Sequence, residues 1–86
     1  MRARDNRVVK FSETEVRKDI LRNAKSLGIA EGAAEDIADR TLKELGAWAE
    51  RRTAITRADL NAQIAKKIKK YNKDLAYVYQ NRGKII

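Results

Sequence analysis

Apolar residues recur at helical spacing through most of this chain, in four stretches that each open on residues suited to start a helix. Ser12-Glu13-Thr14-Glu15 has the form of a capping box, with the Ser12 hydroxyl able to accept a backbone N–H and Glu15 able to reach back. Behind it Val16, Ile20, Ala24 and Leu27 make one stripe, with Lys18, Arg22 and Lys25 opposite and Gly28 as the stop. A second stripe, Ala34, Ile37, Ala38, Leu42 and Leu45, begins near Ala30 and Glu31 and stays in phase through Trp48 and Ala49. The spacing therefore predicts a helix that runs through Gly46 to about Glu50. Ile55, Thr56 and Asp59 announce a third helix, capped by Thr56. Its Leu60, Ile64, Ile68 and Tyr71 lie in one arc, and Lys66, Lys69, Lys70 and Lys73 lie opposite. Asn72 breaks or caps the chain ahead of a last helix on Leu75, Ala76, Val78 and Tyr79, closed by Gly83.

Ahead of the first helix, Arg4-Asp5-Asn6-Arg7-Val8-Val9-Lys10-Phe11 combines two residues that tolerate turn geometry with a β-branched pair that favours extended chain. A short β-hairpin is expected there, and strands this short must lie on something else. No internal repeat, low-complexity stretch or flexible linker divides the 86 residues. The expectation is a single domain over 1–86 of the mainly α (α+β) class, a four-helix bundle capped by an N-terminal β-hairpin. A domain of this size buries about 60% of its extended-chain surface, so its core must be well packed.

Composition narrows the chemistry. The chain has no Cys and no His, hence no disulfide, thiol nucleophile, imidazole base or ordinary zinc site. No Gly-rich phosphate loop is present, and Glu35, Asp36, Asp39 and Glu44 read as the solvated face of the second helix. No catalytic constellation emerges, and the protein is expected not to be an enzyme. The longest apolar run is Leu75 to Tyr79 and the N-terminus is charged, so neither a membrane span nor a signal sequence is read, and a cytoplasmic protein is expected. Net charge is +8, distributed as +4 over residues 1–28, −4 over 29–50 and +8 over 51–86. Lys66, Lys67, Lys69, Lys70 and Lys73 are candidates for nucleic-acid phosphate contacts, but a run of Lys has no geometry that reads bases and a solvated helix face is the preferred reading. Phe11, Trp48, Tyr71 and Tyr79 are assigned to packing, whereas Tyr77 points away from its stripe.

The opening Arg4-Asp5-Asn6-Arg7-Val8-Val9-Lys10-Phe11-Ser12, followed by Val16-Arg17-Lys18-Asp19-Ile20, resembles that of an ATP-cone domain. Ile55-Thr56 resembles the start of that family's third helix, and Ala76, Tyr79 and Arg82 its closing pattern, so the likeness runs from Arg2 to Arg82. The resemblance implies a non-catalytic regulatory domain, as in ribonucleotide reductases and the repressor of their genes. It would bind ATP or dATP, free or with Mg, between a hairpin lid and the helices, and would control association with a protein partner or with itself. It also implies site residues: Arg2, Arg4 and Lys18 toward phosphates, Asn6 at the lid turn, Phe11 supporting the lid and Asn61 lining the cleft. The chain departs from the family pattern at Ala3, Val9 and Glu15. Glu15 puts an anion where the family offers a Lys, unless the capping box turns it aside.

Overall fold

Each helix begins where a side chain satisfies its first free N–H groups, with one exception. In the computed structural model, which describes residues 7–82, the order is β1 (Val8–Val9), α1 (Glu13–Ser26), α2 (Glu31–Glu50), β2 (Ile55–Thr56), α3 (Arg57–Ile68) and α4 (Lys73–Arg82). The Glu15 N–H donates to Ser12 Oγ at 3.3 Å, the Asp59 N–H to Thr56 Oγ1 at 3.1 Å and the Leu75 N–H to Asn72 Oδ1 at 2.9 Å. Helix α2 is the exception: it has no side-chain cap and begins with an acidic residue, Glu31, in its first turn. It runs unbroken through Gly46, as its stripe predicts.

The α1–α2 corner is a Schellman turn. Gly28 takes φ +80°, its N–H reaches the Lys25 carbonyl and the Ile29 N–H reaches the Ala24 carbonyl, both at 3.0 Å. Because α1 stops at Ser26, Leu27 leaves the buried stripe expected for it and is 44% exposed; the next apolar residue, Ile29, packs against the core instead.

That core gathers Val16, Ile20 and Ala24 from α1, Ala34, Ile37, Ala38 and Leu45 from α2, Ile64, Ala65 and Ile68 from α3, and Leu75, Ala76 and Tyr79 from α4. Helix α1 packs on α2, α2 on α3 and α3 on α4, while α1 also touches α4. The alanines let the helix backbones approach closely, and the larger side chains fill the space between them. Thr41 is fully buried among them, and its hydroxyl has no hydrogen-bond partner among the described residues.

One strand pairing is added to the sequence expectations and one helix end changes. Strand β1 pairs antiparallel with β2, Val8 opposite Thr56 and Val9 opposite Ile55, so the partner of the Val8-Val9 strand lies at the entrance to α3. The turn and first strand of the expected hairpin fall before residue 7, outside the described residues, as do Gly83 and the site candidates Arg2, Arg4 and Asn6. The third helix ends at Ile68 rather than continuing to Tyr71: the N–H groups of Tyr71 and Asn72 both bond to the Ile68 carbonyl, and Asn72 starts α4. Tyr71, expected in the core, is thereby 37% exposed. The chain is mainly helical with a small two-stranded sheet, and no helix among the described residues is long and apolar enough to cross a membrane.

Two substitutions test these local assignments by thermal unfolding. Thr41→Val removes the unpartnered hydroxyl at nearly constant shape and is expected to stabilise by about 1 kcal/mol, a rise of roughly 4–8 °C in Tm. Gly28→Ala places a Cβ in left-handed backbone and is expected to cost about 1–2 kcal/mol.

Candidate functional site

The β1–β2 pairing brings the chain into α1 directly over α3, and a cavity of about 740 Å³ opens between them. Val9, Lys10 and Phe11 line it from the strand exit, Glu15, Lys18, Asp19 and Arg22 from α1, and Arg57, Leu60, Asn61 and Ile64 from α3. Ser12 sets this geometry. As N-cap it keeps an extended conformation, so Phe11 stands at the residue before the cap and Val16 at the fourth helical position, the two places of a hydrophobic staple; both face the cavity. Phe11 is half-buried and packs against the core.

Three of the sequence candidates, Phe11, Lys18 and Asn61, come from three different elements to this one cavity. Lys18 is exposed and makes no ion pair among the described residues. Asn61 is only 7% exposed, yet its side-chain amide makes no hydrogen bond with any described residue. The amide opens onto the cavity rather than being sealed in the core, so a ligand there could hydrogen-bond to it without displacing a protein partner. Only half of the expected capping box forms, because no hydrogen bond returns from the Glu15 carboxylate to the Ser12 N–H. Glu15 stays exposed at the cavity.

The α1 wall is braced from behind by a network that the sequence does not announce. Tyr79 Oη donates to Asp19 Oδ2 at 2.7 Å and accepts from Asn23 Nδ2 at 3.1 Å, while Asn23 Nδ2 also reaches the Asp19 carbonyl at 3.0 Å. Tyr79 reads from its stripe as plain core, and it is buried; the available signal was Asp19 and Asn23 four residues apart, on the edge of the α1 stripe.

The lysine candidates are not one continuous face. Lys70 Nζ lies 2.7 Å from Glu44 Oε2 on α2, Lys67 Nζ is 4.0 Å from Glu44 Oε1, and Tyr71 Oη is 3.3 Å from Oε2. Lys66 and Lys73 are exposed on α3 and α4, and Lys69 is exposed at the α3 C-cap. Glu44, expected on a solvated face, is half-buried in this ion pair. Two other acids of that helix pair on the surface, Asp36 with Arg40 at 3.0 Å and Asp39 with Arg17 of α1.

Comparison with known proteins yields no matching family model, no matching curated protein and no matching solved structure. Four cationic side chains, Lys10, Lys18, Arg22 and Arg57, and two carboxylates, Glu15 and Asp19, surround an apolar floor of Phe11, Leu60 and Ile64. That combination suits a flat apolar group attached to an anionic one.

The Lys70 hydrogen bond holds the Glu44 carboxyl below its ordinary pKa, against the opposing effect of burial. A depressed folded pKa means stabilisation present above the unfolded-state pKa of Glu and lost as pH falls through the folded value. Lys70→Gln is expected to move the Glu44 titration upward when followed by carboxyl NMR, and to make the protein lose stability at a higher pH on acidification.

Proposed function

We propose that this protein is a non-catalytic regulatory domain resembling an ATP-cone, which binds ATP or dATP in the cavity between the N-terminal segment and helices α1 and α3. The observation that carries this reading is the cavity itself, where Asn61, whose amide has no partner among the described residues, meets Phe11 and Lys18 around one space. The space of about 740 Å³ lies within the range of roughly 300–1,000 Å³ usual for small-molecule sites. In this reading Phe11 and Leu60 face the base or sugar, Asn61 hydrogen-bonds to the ligand, and Lys18 with Arg22 meets phosphate. The resemblance adds Arg2, Arg4 and Asn6, which lie outside the described residues, as the lid of a hairpin-capped four-helix bundle, and Mg could accompany the phosphates. Glu15 opposes a polyphosphate, so the cavity favours a modest affinity that a change in nucleotide level can switch. Occupancy would then control association with a protein partner or a second copy in the cytoplasm.

The alternative is a small nucleic-acid-binding protein using phosphate contacts. With Lys67 and Lys70 drawn to Glu44, it would rest chiefly on Lys66, Lys69 and Lys73.

Thermal shift separates the two. At a hundredfold its Kd, ATP or dATP should stabilise the protein by about 2.7 kcal/mol. Lys18→Ala and Asn61→Ala should each reduce that shift while leaving the fold intact by circular dichroism. No shift with either nucleotide, together with duplex DNA binding that weakens steeply with salt and is lost on neutralising Lys66, Lys69 and Lys73, would replace the proposal by its alternative.

A further inference from the structure

A second cleft, of about 550 Å³, lies on the other flank of α1, against the beginning of α2. Its floor is apolar: Leu21 and Ile29 are half-buried and Ala34 is buried. Its rim is cationic, with Lys18, Arg22 and Lys25 all lining it from α1 and Glu31 as the one carboxylate among the lining residues. Lys18 and Lys25 make no ion pair among the described residues, and Arg22, with its side chain 73% exposed, has its guanidinium 3.8 Å from Asp19. The three cations stand at i, i+4 and i+7, a row about 10 Å long at 1.5 Å per residue. Alternate side chains of an extended peptide are spaced at about 6.6 Å, close to the rise of roughly 6 Å between Lys18 and Arg22 along the helix.

From this charge complementarity we infer that the cleft docks an acidic peptide segment of a partner protein, its carboxylates on the cationic row and an apolar side chain on Leu21, Ile29 and Ala34. Lys18 and Arg22 line both this cleft and the cavity. An anion held in the cavity draws on the same two cations as the peptide, so the two ligands oppose each other. The docking stands on the cleft alone; the opposition rests on the nucleotide reading of the cavity. Together they give that reading a sign: the nucleotide releases the partner.

The test uses the whole chain and a short fluorescent peptide of alternating Glu and Leu, followed by anisotropy at low salt. Saturable binding is expected, weakened at least tenfold by Lys25→Gln or Lys25→Glu, which touch only the cleft, and unchanged by Asn61→Ala, which touches only the cavity. Peptides of alternating Glu and Ser, or Gln and Leu, should bind at least tenfold more weakly, since each lacks one half of the match. ATP should displace the peptide from the parent protein, and only at higher ATP concentration from Asn61→Ala. Absence of peptide binding, equal binding of the Glu–Ser peptide, or indifference to both Lys25 variants would overturn the docking. A Lys25 effect on sedimentation of the protein alone, without peptide binding, would overturn it in favour of a second copy. If ATP gives no thermal shift while the Lys25-dependent binding persists, docking is upheld and the nucleotide reading falls. If ATP shifts Tm but leaves the peptide bound, the opposition between the two sites is overturned.

Discussion

The cavity depends on a strand pair only two residues long. Val8 and Val9 hold the incoming chain against Ile55 and Thr56, and the Arg57 N–H extends the contact to the Arg7 carbonyl at 2.8 Å. So short a ladder is not stable by itself, and it persists because Ile55 is buried and Thr56 also caps α3. Thr56 thus joins the strand to the helix. If the ladder opened, Lys10 and Phe11 would leave the neighbourhood of Asn61, and the cavity would lose one wall.

The helices were largely legible in the sequence because their starts are local chemistry. Ser12, Thr56 and Asn72 each act within three residues of themselves, and nothing distant has to be known to place them. Helix ends were harder: the stripe carries Leu27 and Tyr71 into the core, but the Gly28 turn and the Asn72 cap stop the helices first. The pairing of Val8-Val9 with Ile55-Thr56 was not legible, since strand pairing between distant segments leaves no local signal. The same division runs through the site. Phe11 and Lys18 sit at fixed offsets from the Ser12 cap, whereas the isolation of Asn61 and the Tyr79 brace follow from how α1, α3 and α4 pack.

Charge also sorts itself by packing rather than by position in the chain. The acidic helix α2 takes Lys70 and Lys67 at Glu44 and Arg17 at Asp39, and Arg52 stands 3.5 Å from Asp59 while lying over the Trp48 ring. Pairs this exposed contribute little stability, yet they decide where positive potential survives. Among the described residues, cations without an ion pair remain on α1, at Lys18 and Lys25, around the α3–α4 corner, at Lys66, Lys69 and Lys73, and singly at Lys10, Lys43 and Arg51.

Tyr79 gives the arrangement a mechanical side. Its ring is locked in the core while its hydroxyl grips Asp19 at 2.7 Å and Asn23 at 3.1 Å, so the last helix and the α1 wall are geared to each other through that one hydroxyl. A ligand that displaced Asp19 even slightly would slacken that grip, and amide protons late in α4 would exchange faster with solvent. The far end of the chain would then act as a gauge of whether the wall is at rest.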